Sequence, residues 1–496
     1  MNVHNKRIII IGAGIAGLST GCYLQMNDYD TEIFEAHNKP GGLCTAWQRK
    51  GYVIEGCIHG LVGSSPSNPY YKLWNEVIDM KNLKFIDQEV KHLIDFGNGK
   101  QFIQYANLEK LEYYMKKISP EDKGTIEDFV RETRRIQKIA IPVEKPREFF
   151  NIIDMLKMLR AIPLLFSMKK WLKTSSEDFA KSFKNHFLRE ATKYFLSPIL
   201  FEMLVLSEMD LKRSGYPSVG SLEFSKLIEK KYLSLGGKIN YRSKVKKILV
   251  ENNKATGIQI EDGSNYRADI IVSAADGRSI IFNMLEGKYT NKTIEQNFKN
   301  ADLNPSRIQI SLGIDRIIKE YPRSVKLILT PELMTNDGNK YKSIDLIIYN
   351  DTDELSPPGK TLIVVQLETS NDKYWTDLRK SDIKKYREEK DIIATEIINI
   401  LDERIGQIKE NIEMIDIATP ATYIRYTGNW RGSIQGWANE NIFKSNPFKK
   451  QLPGLSNFYL TGQWVEPGGG VPTAFKSGRD LAQIICKKDK KRFETI

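Results

Sequence analysis

The sequence predicts an α/β fold: a parallel sheet flanked by helices, with a second unit inserted into the same chain. Three observations carry this. The run Ile8-Ile9-Ile10-Ile11-Gly12-Ala13-Gly14-Ile15-Ala16-Gly17 leads an apolar strand straight into G-x-G-x-x-G. Near the other end, Asn457 to Gly462 reads as a short buried strand, followed by a glycine-rich loop and a helix from Thr473 to about Cys486. Between them, residues 214–276 alternate helical and strand patterning.

The first element is the most specific. After Gly17 comes a helical pattern, then a second strand, Thr31-Glu32-Ile33-Phe34, ending at Glu35, 23 positions beyond Gly12. Strand, glycine turn, helix and acid make one βαβ unit of Rossmann type. Gly12 makes the tight turn, Gly14 admits a pyrophosphate to the backbone, and Gly17 lets helix and sheet approach. The amides of Ala13, Ile15 and Ala16 belong to the same anion-facing turn and helix start. Glu35, with Ala36 beside it, is placed to accept ribose hydroxyls. In the middle block, the turn 214–221 opens a helix from Leu222 to about Leu235, stopped by Gly236-Gly237. Residues 243–251 and 255–260, joined at Asn252-Asn253, read as a hairpin. Ala268 to Asp276 is a buried strand ending in small residues, Ala274 among them. The C-terminal loop, Gln463 to Pro472, contains Trp464, Glu466, Gly470 and Val471 and forms a second anion and dipole site.

Residues 1–85, 207–290 and 441–496 are assigned to one dinucleotide-binding domain. Residues 86–115 and 291–440 mix strands with helices and form a second domain, and 116–206 is mainly helical. The chain of 496 residues is long enough for a large core and more than one domain. Four cysteines, Cys22, Cys44, Cys57 and Cys486, have neither metal-site spacing nor the density of a secreted scaffold, so a reducing, cytoplasmic setting is expected. Lys6-Arg7 before an apolar run imitates a signal peptide, but the glycine spacing explains it better as a strand and helix. The formal charge is +12 with no nucleic-acid readout motif, which argues against a nucleic-acid partner. Segment 149–173 is rich in apolar residues interspersed with Lys157, Arg160, Lys169, Lys170 and Lys173, with Trp171 near its end. It reads either as an interfacial membrane surface, on the inner face of the cell membrane, or as an internal helical lid.

Gly41-Gly42, six residues after Glu35, resembles the FAD fingerprint shared by amine oxidases and phytoene desaturases. In those families a Gly-Gly-Arg brings backbone amides to the cofactor pyrophosphate; here Leu43 replaces the arginine. Residues 51–60, Gly-Tyr-Val-Ile-Glu-Gly-Cys-Ile-His-Gly, resemble the strand and turn that reach the flavin ring, and Thr419 to Ser433 resembles the Thr-Pro segment before the flavin loop. The chain is identified as similar to the phytoene desaturase, carotenoid isomerase and retinol saturase group nearly end to end. The resemblance implies an FAD-binding Rossmann-type domain of the two-dinucleotide-binding, amine-oxidase-like kind. It also implies an adenine contact near Val245, a flavin contact from the Gly462–Val471 loop, and a discontinuous α+β substrate domain with a helical lid or membrane-facing region. The implied substrate is a polyene, isoprenoid or other long-chain lipid, changed at carbon–carbon double bonds by desaturation, saturation or cis–trans isomerisation.

Such chemistry pairs hydride exchange at the flavin with a proton donor or acceptor, unless it is a pure isomerisation. His59, in the flavin-facing turn, and Glu466, in the C-terminal loop, are the candidates. Tyr426 and Trp464 are candidate pocket walls, and Trp437 is read as core. Two other functions compete. An amine oxidase would use an aromatic pair beside the flavin, for which Tyr426 and Trp464 are the available rings. A non-catalytic FAD-binding protein would use neither. In the amine oxidases that the chain resembles, a covalent link to the flavin uses a cysteine of the C-terminal flavin loop; the loop from Gly462 to Val471 has none, so the resemblance implies a cofactor held without a covalent bond.

Overall fold

A computed structural model describes residues 5–138, 142–152, 154, 162–300, 302–350, 354–438, 449–466 and 468–495, without the side chains of 162–167. Its first sheet has five parallel strands. In spatial order they are Phe458–Leu460, Ile270–Ser273, Arg7–Ile11, Asp30–Phe34 and Lys238–Asn240. The isoleucine run is central because it is buried on both sides. Ile8 and Ile10 enter one apolar cluster while Ile9 and Ile11 enter another, as the alternation of a strand covered on both faces requires. The edge strand Lys238–Asn240 was not foreseen; it follows directly on Gly236-Gly237, which the sequence reading treats only as a helix stop.

The two chain ends meet on this sheet. Helix Ile15–Gln25 packs on helix Gly470–Lys488. A Cβ at Gly478 would lie 2.5 Å from the Ala16 carbonyl oxygen, so the crossing is backbone to backbone. Ser19 donates to the Phe475 carbonyl at 2.7 Å. The C-terminal helix starts at Gly470, three residues before the expected Thr473. Pro472 permits this, because the first turn of a helix has no use for its missing N–H. The expected hairpin is present as Val245–Glu251 and Lys254–Ile260. Its two turn residues, Asn252 and Asn253, have φ of 49° and 59°, the type I′ geometry that asparagine tolerates.

The second sheet has seven strands: Ile412–Ala418, Ser306–Ile314, Thr361–Thr369, Lys340–Tyr349, Ser324–Met334, Val90–Asp95 and Gln101–Tyr105. One face is apolar and covered by the long helix Ile383–Ile405 through Ile393, Ile397 and Leu401. The opposite face mixes polar side chains with Leu362, Val364 and Tyr349, which join the apolar cluster of the first unit. There, a Cβ at Gly313 would fall 2.5 Å from the Tyr52 ring, and Gln309 donates to the Glu55 carbonyl at 3.1 Å. Trp437, inside the span expected to belong to the second domain, instead packs in the cluster of Ile9, Ile11 and Trp464, so this stretch returns to the first sheet.

Helices Leu108–Ile118, Lys123–Ile136, Ile162–Lys173 and Ile199–Asp210 share a third core. Trp171 is 6% exposed and sets its ring edge-on to Phe179. It is a core residue and not the interfacial anchor that the composition of 149–173 invites. Lys169, Lys170 and Lys173 are exposed; Lys157 and Arg160 lie outside the described residues. Among the described residues, no helix is long and apolar enough to cross a membrane.

Candidate active site

The glycines at the C-terminal end of strand Arg7–Ile11 form a cradle. Gly12 has φ of 98°, a conformation that favours glycine, and its backbone passes beside Ala274. A Cβ at Gly17 would sit 2.0 Å from the Gly12 carbonyl oxygen, so this glycine is required by packing. Gly14 is different: a Cβ there would meet nothing within 4 Å. The Gly41-Gly42 loop closes on the same point. Gly41 donates its N–H to the Ala13 carbonyl at 2.9 Å, and Gly14 and Gly41 pair as an isolated bridge. Gly42 and Ala36 are exposed and Leu43 is half-buried on the rim. Open space before Gly14, two converging glycine turns and a helix start suit a pyrophosphate.

Glu35 ends the second strand beside this cradle. One carboxylate oxygen accepts from the Ala13 N–H at 2.6 Å and the other from the His37 N–H at 2.7 Å. Each keeps lone-pair capacity for a ribose hydroxyl. Burial holds the Glu35 carboxyl above its ordinary range, against the lowering effect of those N–H bonds. The strand containing Val245 starts nearby: Ser243 donates to the Glu35 carbonyl at 2.8 Å. From the C-terminal arm, Gly462 (φ 93°) lies against Ala16 and donates to Ser477 Oγ at 2.9 Å. Gly470 is exposed and Val471 half-buried at the start of the last helix.

The turn after strand Tyr52–Glu55 is locked by Glu55, which is 1% exposed. Its carboxylate accepts from the Gly56 and Cys57 N–H groups, from the Tyr216 hydroxyl, and from the Ser221 N–H in the first turn of helix Gly220–Ser234. Four donors and a helix N-terminus make a buried carboxylate tolerable. His59 is thereby held in an interior gap, accessible but ringed by protein. The surrounding protein, then Arg307 and Arg323, push its imidazole well below the ordinary value, while Asp345 opposes. The ring is neutral, so it is a hydrogen-bonding group and not a reservoir of protons.

Glu466 has a different setting from that expected of an acid. It is ion-paired with the buried Lys450, which also holds Glu148 at 3.0 Å. Although burial opposes its charge, Glu466 and Glu148 keep Lys450 above its ordinary value. A carboxylate held this way ties the loop to Lys450 and, through it, to Glu148. The expected pairing of Tyr426 with Trp464 is not formed. Tyr426 is 48% exposed and sets its ring edge-on to His37, next to Glu35. Trp464 is 3% exposed and packs with Trp437 and Phe298. Trp437, as expected, is core.

A flavin-containing amine oxidoreductase family model matches residues 15–388. The chain belongs to the flavin-containing amine oxidoreductase family. FAD is therefore the cofactor of this flavoprotein, and the cradle around Gly14, with Glu35 on its rim, fits it. A 4,4'-diapophytoene desaturase (4,4'-diapolycopene-forming) from Methylomonas sp. is 22% identical, over 99% of this chain and 98% of its own. A chloroplastic prolycopene isomerase from Daucus carota is 24% identical, over 96% of this chain and 79% of its own. An oxidoreductase structure from Methanosarcina mazei covers 96% of this chain, and this chain covers all of it, with TM-score 0.60 at 17% identity.

Sequence reasoning on this flavin oxidoreductase missed several residues at the gap. Tyr423 is buried and donates to Gln309 Oε1 at 3.2 Å. Burial pushes its phenol up to about 12. Arg307 lies near both Tyr423 and His59. A polar residue every second place in 307–311, inside an otherwise apolar strand, is the signal that points to them. Glu55, a lone acid at the end of Tyr-Val-Ile-Glu, carries the same kind of signal.

Proposed function

We propose that this enzyme is an FAD-dependent oxidoreductase or isomerase acting on carbon–carbon double bonds of a polyene, isoprenoid or long-chain lipid. The observation that carries the reading is the likeness to carotenoid desaturases and isomerases along essentially the whole chain, both units included. When bound, FAD supplies two-electron transfer. Gly12, Gly14, Gly17, Gly41 and Gly42 hold its pyrophosphate by backbone contact, Glu35 takes the ribose, and the strand at Val245 borders the adenine. Ala274, Gly462, Gly470 and Val471 complete the cradle along its far side. His59 stands where the two sheets face each other and positions the double bond as a neutral hydrogen-bonding group. Glu466 holds the C-terminal loop through Lys450. The amine oxidase alternative is disfavoured because Tyr426 and Trp464 have separate surroundings and make no aromatic pair. A non-catalytic FAD-binding protein would show no flavin turnover with any donor. Delivery of a lipid is served by a peripheral membrane contact through the exposed Lys169, Lys170 and Lys173.

The test is turnover of a polyene in liposomes by the holoenzyme in deuterated solvent, with products separated and weighed. A product changed by two hydrogens, or an isomer of unchanged mass, is expected. A saturase incorporates solvent deuterium, whereas an isomerase need not. Recovery of only the starting polyene under both oxidising and reducing conditions would overturn the reading.

A further inference from the structure

The face of the second sheet that looks toward His59 carries a polar row in an otherwise mixed surface. Cross-strand register puts Gln309, Gln366, Asp345 and Lys326 in one row over four adjacent strands. The next row, Ile310, Val365, Leu346 and Val325, belongs to the apolar core on the other side. Alternation therefore puts this polar row on the face opposite that core, with Arg307 and Asp345 near His59; further along, the same face turns apolar at Val364, Ile347, Leu362 and Tyr349. Arg307 is two residues before Gln309 and shares that face.

Most of the wall is internally satisfied. Lys326 donates to Asp345 at 2.5 Å, and His92 lies 3.2 Å from the same oxygen. Gln309 bridges Tyr423 and the Glu55 carbonyl. Arg307 is not satisfied. Among the described residues, its Nη1 is buried with no hydrogen-bond partner, and the Nε2 of Gln366 is in the same condition. The acid directly across from Arg307 is Glu368, which is exposed and makes no ion pair with it among the described residues. A buried guanidinium nitrogen left without an acceptor costs free energy, and the cost is recovered when an acceptor arrives.

We infer that Arg307, with the Gln366 amide beside it on the sheet, anchors a terminal carboxylate of the substrate, so that the enzyme takes a polyene or isoprenoid acid in preference to a plain hydrocarbon. The inference rests on the lipid reading above and narrows it. A guanidinium presents a planar fork that matches a carboxylate, and such charge-assisted pairs are about twice as strong as neutral ones. A hydrocarbon end would leave both donors dry and unpaired. Arg307 lies near His59, so an acid held by Arg307 brings its adjoining chain to the proposed site.

The probes are all-trans-retinoic acid, the corresponding alcohol and a hydrocarbon carotene, each titrated against the FAD-loaded enzyme by the absorbance change of bound flavin. The acid is expected to bind at least about tenfold more tightly than the alcohol or the carotene. Arg307→Gln should bring that ratio close to one with FAD content unchanged, and Arg307→Lys should keep part of it, because the charge remains while the fork is lost. Equal affinity of the wild type for all three probes overturns the carboxylate anchor and leaves the lipid reading standing. A preference for the acid that survives Arg307→Gln also overturns it. Failure of every probe to perturb the flavin overturns the lipid reading and the anchor with it. If Arg307→Gln does not retain FAD, the Arg307→Lys ratio decides the matter: a ratio identical to wild type with the fork removed speaks against the anchor, and a reduced one supports it.

Discussion

Gly14 and Gly17 are three residues apart and have opposite reasons to be glycine. A side chain at Gly14 enters open space, while one at Gly17 strikes the Gly12 carbonyl. Gly14→Val is therefore expected to fold with near-normal melting temperature and to purify colourless, while Gly17→Val loses the fold itself. Flavin content and thermal unfolding of the two variants check this; an FAD-replete Gly14→Val protein would contradict the cradle. A second single-residue expectation concerns Asp276. It is 5% exposed, accepts from the Ser279 and Trp430 N–H groups at 2.7 and 2.9 Å, and is pushed by burial up to about 6 from 3.8. A raised folded-state value means that its stabilisation is full below about pH 4 and is lost as pH rises through about 6, an effect of order 3 kcal/mol. Denaturant titrations of wild type and Asp276→Asn should therefore diverge between those limits, the wild type losing stability relative to the variant as pH rises. Parallel curves would show that Asp276 does not titrate differently in the folded state. His59, held neutral, should contribute no inflection to the pH–rate profile between about pH 5 and 8, where an unperturbed imidazole titrates.

At the scale of elements, Glu55 ties the strand Tyr52–Glu55 and the His59 turn to helix Gly220–Ser234. Glu55→Ala leaves four donors without their acceptor, those of Tyr216 and Ser221 fully buried, and the expected loss is about 3 kcal/mol or more. Glu55→Gln, which keeps one acceptor oxygen, should lose less. Chemical denaturation separates the two, and equal stabilities would mean that the carboxylate is not the lock. Elements were legible in the sequence where periodicity and glycine chemistry agreed. The first strand and helix, the Asn252-Asn253 hairpin and the C-terminal strand–loop–helix all had both. The strand Lys238–Asn240 did not: three residues give no period, and its pairing with Asp30–Phe34 is a tertiary fact. Within segment 149–173 it is only the place of Trp171 that composition did not reveal. Trp171 beside three lysines looks interfacial by composition, but helix Ile162–Lys173 turns Trp171 inward and leaves the lysines outside. Among the described residues, the membrane proposal rests on those cations, each contributing about 1 kcal/mol at an anionic surface, and on Ile152, which is 76% exposed. Replacing Lys169, Lys170 and Lys173 by alanine should abolish flotation with anionic liposomes. Unchanged flotation would place the contact elsewhere or remove it.

At the scale of the molecule, one parallel sheet gathers strands from the beginning, middle and end of the chain, and a second sheet meets it through a face that mixes a polar row with apolar side chains. The glycine motifs revealed the first sheet because they encode local geometry. The gap between the sheets was nearly invisible, since Arg307, Gln309 and Tyr423 converge only through register and crossing. The same limit explains the candidate side chains. His59 could be named as a candidate because it sits in a motif. Tyr426 and Trp464 were paired on composition, and Glu466 was cast as an acid without sight of Lys450. The central claim is that this flavoprotein acts on a lipid double bond and not on an amine. The most direct test is an anaerobic titration of the holoenzyme, in its oxidised and its reduced form, with a polyene acid and with a polyamine, read by the visible absorbance of bound flavin. The account predicts that the polyene perturbs or changes the oxidation state of the flavin and that the polyamine leaves it untouched. Reduction of the flavin by the polyamine, with peroxide released on admitting air and no response to the polyene, would contradict it.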